Sequence, residues 1–349
     1  MVTGLAHTWF NDNRLLFDAA QPAEGIPLLP PPAQLTICFA HVAYQMRERF
    51  AARNTGIAHF QVYALEELLQ RAHEADVLVI SLMWRNQVLA QATRLKFIQS
   101  IGAGVDQFPH EELRQRSIRL ASARGVNRQA VAEHALALIL AFARQIHTGR
   151  DHQNQQHWRG MIADLARRED ELGGKTLLII GLGGIGTRLA KLAKAFDLRV
   201  LATKRTPTPD TPHVDEVHPP SRLRELLPQA DFVALTCPLT PETEGIINAE
   251  ALAQMKPSAH LINVSRGRCV DEPALIAALQ AGTIAGAGLD CFWEEPLPLT
   301  SPLWEMEQVI ITPHTAGETR RYEENVLDIL QENLARLWRG ETTLYNQVI

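Results

Sequence analysis

Cysteine is scarce in this chain of 349 residues: there are four, Cys38, Cys237, Cys269 and Cys291, and no two form a CxxC pair. The spacing excludes the usual zinc-ribbon frameworks. All four lie in or beside apolar segments, so small, reduced, packed thiols are expected. Long runs of Lys or Arg are absent and the net charge is −5, so there is no electrostatic footprint for nucleic acid or an anionic membrane. No apolar run approaches the roughly 18 residues of a membrane span, and the N-terminus shows no charged-then-apolar leader. These absences lead to the expectation of a soluble, cytoplasmic protein that binds neither nucleic acid nor membrane. Residues 1–33 lack the pattern of a core. Pro22, Pro27 and Pro30-Pro31-Pro32 interrupt regular structure, which predicts either a disordered extension or an arm that docks Trp9, Phe10, Leu16 and Phe17.

What the chain does have is length enough for two domains and 46% apolar residues with which to build their cores. Continuous apolar runs alternate with helical patterns, the mark of parallel strands covered on both faces. One series comprises Leu35–Ala40, Asp76–Leu82, Leu95–Ile101 and Ile118–Ala123. A second comprises Thr176–Gly181, Arg199–Thr203, Phe232–Thr236, His260–Val264, Ala285–Leu289 and Val309–Thr312. Between them Arg128–Arg144 is apolar around most of its circumference, which predicts a hinge helix buried between domains or in a subunit interface. Residues 145–171 turn polar and read as a solvated loop. His147, His152 and His157 fall on different helical faces there and make no metal site. Glu318–Arg339 has apolar residues at helical spacing ahead of Gly340 and should return to the first domain.

The most specific local signal is Gly181-Leu182-Gly183-Gly184-Ile185-Gly186, directly after the apolar strand 177–180 and before a helical run. This context marks a dinucleotide site: Gly181 for the tight turn, Gly183 for approach of a pyrophosphate, Gly186 for close packing of helix on strand. The helix N-terminus adds free N–H groups and positive potential. The next strand ends in Thr203-Lys204-Arg205-Thr206, with no carboxylate before Asp210. A carboxylate there would take a ribose 2′-hydroxyl; Lys204 and Arg205 suit a 2′-phosphate. NADP is therefore the expected cofactor, with NAD possible and no metal.

Three further segments each follow a strand of the second series: Asn263-Val264-Ser265-Arg266-Gly267, Leu289–Pro298 with Asp290 and Glu295, and Thr312-Pro313-His314-Thr315-Ala316-Gly317. They share the C-terminal edge, where open α/β sheets bind ligands. With Gln99–Asp106 and Cys237–Thr243, they make the chain from about residue 34 onward resemble the D-isomer-specific 2-hydroxyacid dehydrogenase family.

The resemblance implies an α/β architecture of two Rossmann-like or flavodoxin-like doubly wound parallel-sheet domains with a cleft between them. After the extension 1–33, residues 34–124 and 317–349 would form a discontinuous substrate-binding domain and 125–316 the dinucleotide-binding domain. It further implies that His314 is the acid/base, Glu295 its partner, and Arg266 the cation that polarises a 2-oxo acid. Proton donation by the imidazolium as hydride arrives agrees with general acid catalysis. Backbone N–H groups of Ala103, Gly104 and Val105 would hold the substrate carboxylate, and Asp290 the nicotinamide carboxamide. Cys237 and Pro238 would line the cofactor ribose, with Thr243, Val264, Ser265 and Gly317 also at the cofactor. Trp84-Arg85 would form a lid.

The expected activity is reduction of a small 2-oxo acid of the glyoxylate/hydroxypyruvate type by a homodimer. Two alternatives are an NAD-linked dehydrogenase for a larger 2-hydroxy acid and a dinucleotide-binding, corepressor-like recruitment protein. Glu295 argues against a formate dehydrogenase, whose histidine partner is an amide.

Overall fold

In the computed structural model, which describes residues 29–208 and 210–349, the chain divides into two compact units. One runs to Val126 and adds Arg320–Ile349; the other is Asn127–Thr319. The boundaries lie two and three residues beyond the expected 124/125 and 316/317.

The first unit carries β1 (Thr36–Ala40), β2 (Ala58–Val62), β3 (Val77–Ile80), β4 (Phe97–Ser100) and β5 (Arg119–Ala121), all parallel, in the order β2-β1-β3-β4-β5. Every residue of β3 and β4 is buried, as strands covered on both faces require. The last helix, Tyr322–Trp338, starts four residues later than its pattern predicts, after a turn at 317–321. Its Val326, Leu327, Leu330, Leu334 and Leu337 pack with Phe39, Phe50 and Phe97. Asn333 is fully buried. It donates to Gln99 Oε1 at 3.0 Å and accepts from Tyr345 N at 2.7 Å, which ties the C-terminal tail to the sheet. The end of the segment assigned by sequence to an extension is tied to this unit: Leu29 is buried in its core and the Pro30 carbonyl accepts from Trp338 Nε1 at 2.8 Å. Trp9, Phe10, Leu16 and Phe17 lie outside the described residues.

The second unit carries β6 (Thr176–Ile180), β7 (Arg199–Thr203), β8 (Glu216–His218), β9 (Phe232–Leu235), β10 (His260–Asn263), β11 (Gly286–Leu289) and β12 (Val309–Ile311). The sheet is parallel, in the order β12-β11-β10-β9-β6-β7-β8. The helix Arg128–Ala143, expected as a hinge helix, packs within this unit against its own sheet. Glycines at 286 and 288 make room: a Cβ on Gly288 would lie 3.2 Å from Leu138 and from Phe142. The stretch read as a solvated loop contains a nine-residue helix, Ile146–Asn154. The His152 ring of this helix meets that of His157, beyond its end, edge-on at 4.8 Å.

At the N-terminal end of β10, His260 stacks between Phe142 and Phe232 at ring distances of 4.5 and 5.7 Å. Burial, helped by the nearby His147, lowers its pKa to about 4. A free histidine titrates near ~6.5, so below that pH the unfolded chain takes up a proton that the folded chain refuses. Stability should therefore fall as pH drops from about 6.5 toward 4, by up to about 3 kcal/mol. Melting temperature across this range should show the loss in the native chain and a shallower slope in His260→Phe. Equal slopes would remove His260 from the account.

Candidate active site

Parallel pairing sets the site. Asn263, Leu289 and Ile311 stand level across β10, β11 and β12, the three neighbouring strand ends. The segments bearing Arg266, Glu295 and His314 leave from this one edge, the ligand-binding edge of an open α/β sheet.

His314 Nδ1 and Glu295 Oε2 lie 2.7 Å apart, and the Phe292 N–H donates to Glu295 Oε1 at 3.0 Å. Burial alone would raise the Glu295 carboxyl. The bonds from His314 and Phe292 and the charges of His314 and Arg266 outweigh it and hold the group below the usual carboxylate range. Glu295 is thus ionised at neutral pH. As pH falls, the pair survives until the pH passes below that range, near ~4.3. His314 adopts the left-handed conformation with φ +54°. Such a backbone costs a non-glycine residue on the order of 1 kcal/mol and is kept where a site demands it.

Asp290, buried, organises the loop on which His314 sits. Its Oδ1 accepts from Thr312 Oγ1 (2.6 Å), Thr315 N (2.9 Å) and Ala316 N (3.1 Å), and its Oδ2 from Ala316 N (3.0 Å). His134 Nε2 joins the same network at 3.0 Å from Thr312 Oγ1. On the neighbouring loop Asn263 donates to the Arg266 carbonyl (3.0 Å) and accepts from Ser265 N (3.1 Å) and Oγ (2.9 Å). Arg266 is exposed. One of its N–H groups donates to the Ser265 carbonyl at 2.7 Å. Gly267 permits the two loops to meet, since a Cβ there would lie 2.0 Å from the Phe292 carbonyl. Asn263, Gly267, Thr312 and His134 were not singled out from sequence. Asn and Gly flanking Val264-Ser265-Arg266 were the signals available for the first two.

The glycine fingerprint fits a dinucleotide. Gly181 has φ +98°, and a Cβ on it would lie 2.6 Å from Cα and Cβ of Cys237. On Gly186 a Cβ would approach the Gly181 carbonyl to 2.7 Å, whereas on Gly183 it would meet open space. The helix Gly184–Lys194 has no side-chain cap at its N-terminus, so its first N–H groups are available to phosphate. Thr203 is buried, and its carbonyl accepts from Gly181 N and Leu182 N, so it shapes the turn itself. Lys204 Nζ donates to Thr208 Oγ1 at 3.0 Å, and Arg205 is exposed. Thr243 Oγ1 donates to the Pro238 carbonyl at 2.7 Å and closes the 238–243 loop. Gly317 lies against Asn127, whose Nδ2 would be 2.7 Å from a Cβ there.

The four cysteines are free and buried. Burial pushes the Cys291 thiol up to about 12, with the charges of Asp290 and Glu295 acting in the same direction. It is a thiol, not a nucleophile, at neutral pH.

In the first unit, Ala103 and Gly104 are exposed at a turn after β4, and no hydrogen bond among the described residues uses the N–H groups of Ala103, Gly104 or Val105. Trp84, expected in a lid, is buried. Its ring lies 5.0 Å from that of Phe108, and it shares a core cluster with Val88 and Leu89. The large apolar indole is drawn into the nearest core, and Arg85 binds its own loop through the Leu82 and Trp84 carbonyls at 2.9 and 2.7 Å.

Residues 136–316 match the family model described as D-isomer specific 2-hydroxyacid dehydrogenase, NAD binding domain. The chain is 38% identical over 293 residues to a glyoxylate reductase of Pyrococcus furiosus, covering 81% of this chain and 86% of that one. It is 36% identical over 279 residues to a D-3-phosphoglycerate dehydrogenase of Methanocaldococcus jannaschii, covering 79% of this chain and 52% of that one. Among solved structures, a D-isomer specific 2-hydroxyacid dehydrogenase family protein from Aeromonas salmonicida superposes with a TM-score of 0.77 at 30% identity, covering 90% of this chain and 99% of that one.

Proposed function

Because this chain belongs to the D-isomer specific 2-hydroxyacid dehydrogenase family and binds a nicotinamide dinucleotide, we propose that it reduces a small 2-oxo acid of the glyoxylate/hydroxypyruvate type, with NADPH preferred to NADH. The observation that carries this reading is the 2.7 Å contact of His314 with Glu295 on the strand edge shared with Arg266. Glu295 fixes Nδ1, so His314 presents Nε2 to the substrate and delivers a proton to the carbonyl oxygen. Arg266 draws electron density toward that oxygen and stabilises the developing alkoxide. The bound reduced nicotinamide supplies the hydride. The N–H groups of Ala103, Gly104 and Val105 hold the substrate carboxylate.

Asp290 Oδ2 keeps acceptor capacity for the nicotinamide carboxamide. Gly181, Gly183, Gly184, Ile185 and Gly186 form the pyrophosphate cradle. Cys237, Pro238, Thr243, Val264, Ser265 and Gly317 surround the rest of the cofactor. Lys204 and Arg205 pair with a 2′-phosphate, and Thr203 holds the turn between them and the glycines. The glyoxylate reductase name of the Pyrococcus relative supports the small substrate.

The test is the initial rate of glyoxylate and hydroxypyruvate reduction with NADPH and NADH in parallel at neutral pH. Faster turnover with NADPH is expected. Turnover with NADH alone overturns the phosphate pocket at Lys204 and Arg205, and reaction only with larger 2-oxo acids overturns the small-substrate reading.

Ile146, Trp158, Met161 and Leu165 form an exposed apolar set in one segment of the second unit, with Trp158 97% and Met161 100% exposed. Apolar groups so displayed mark an interaction surface, and a second copy of this chain is its occupant. Sedimentation equilibrium should give twice the 38.9 kDa chain mass, and Trp158→Asp with Met161→Asp should return the monomer. A native chain of single mass would remove the dimer.

A further inference from the structure

We propose that Cys291, Glu295 and His314 together form a binding site for a thiophilic divalent cation such as Zn²⁺, which reversibly blocks the enzyme by occupying its proton-transfer pair. One ligand atom from each of the three lies within 4.8 Å of the others. A sulfur, an imidazole nitrogen and a carboxylate oxygen are the donor types that zinc takes, at about 2.0–2.3 Å from the metal. Those bond lengths put tetrahedral ligands about 3.5 Å apart, so side-chain shifts on the order of 1 Å complete the half-shell. The fourth position is left to water.

The backbone prepares this arrangement. Cys291 and Glu295 flank Phe292, whose N–H already fixes the Glu295 carboxylate at 3.0 Å, and His314 is aimed at the same carboxylate from the next strand end. Cys291 is buried while His314 and Glu295 remain partly exposed, so the site has a closed sulfur floor and an open entrance. Coordination expels the Cys291 proton to solvent and leaves the sulfur as thiolate. It also commits the carboxylate and imidazole Nδ1 to the metal, and an imidazole so coordinated cannot become the imidazolium whose proton the reduction consumes. Hard cations such as Mg²⁺ prefer oxygen ligands and octahedral geometry, and they gain nothing from this donor set.

The inhibitory half of the proposal rests on the reductase reading; the binding half does not, so the two are measured separately. Binding is read with Cd²⁺ added to the full chain without substrate, following the cadmium–thiolate absorption band in the ultraviolet. A one-equivalent band is expected in the native chain and its loss in Cys291→Ser and Cys291→Val, the valine variant keeping an apolar group in the buried position. Inhibition is read with Zn²⁺ during 2-oxo acid reduction. It should be reversed by chelator, absent with Mg²⁺, and at least tenfold weaker in the Cys291 variants, whose rate without zinc stays close to native. An unchanged cadmium band in both variants overturns the site. A band that depends on Cys291, with inhibition that does not, overturns the block while leaving the site. If no 2-oxo acid is reduced at all, the reductase reading fails and the cadmium measurement still decides the binding.

Discussion

Replacing His314 by Ala or Asn should lower kcat by about 10²–10⁴, which is the usual weight of a positioned general acid. That range is about 3–5 kcal/mol of transition-state stabilisation. The two variants answer different doubts. His314 is left-handed at φ +54°, a conformation that Asn tolerates better than Ala. A loss common to both therefore belongs to the imidazole and not to loop strain. Cofactor binding, followed by nicotinamide fluorescence, should be retained, because Asp290 holds the 312–316 loop through Thr312, Thr315 and Ala316 rather than through His314. Near-native turnover in either variant would take His314 out of the mechanism.

Gly267→Ala should be nearly as damaging although the residue carries no functional group. The added Cβ would sit 2.0 Å from the carbonyl carbon and oxygen of Phe292, and backbone on both sides leaves no flexible side chain to yield. Overpacking of this kind costs about 3 kcal/mol or more. For a unit of this size that is a fall in melting temperature on the order of 10 °C. The loop carrying Glu295 must shift to relieve the overlap, so kcat should fall with stability. Gly173→Ala, where a Cβ meets nothing within 4 Å, is the matched control and should leave the melting temperature unchanged. A Gly267→Ala enzyme with native melting and native kcat would show that the loops do not meet as described.

The difference between these two residues shows where sequence reading reaches its limit. His314 was legible because its chemistry is in its side chain and its neighbours Thr312-Pro313 and Ala316-Gly317 make a recognisable segment. Gly267 matters only through Phe292, a residue 25 positions away that pairing of β10 with β11 brings alongside. His134 acts in the same way, through Thr312.

Strands followed the same division. Central strands such as β3, β4 and β6 are buried throughout and read as unbroken apolar runs. The strands missed, β2 (Ala58-His59-Phe60-Gln61-Val62) and β8 (Glu216-Val217-His218), are the outer strands of their sheets, where one side need not be apolar. The glycine fingerprint, the parallel α/β class and the residues able to move a proton were thus determined by the sequence alone, since each depends on local conformation and side-chain chemistry. Only the tertiary structure decided that Trp84 belongs to a core, that the helix Arg128–Ala143 packs on its own sheet, and that Cys291 joins Glu295 and His314. Each of these depends on which distant residue fills the neighbouring space.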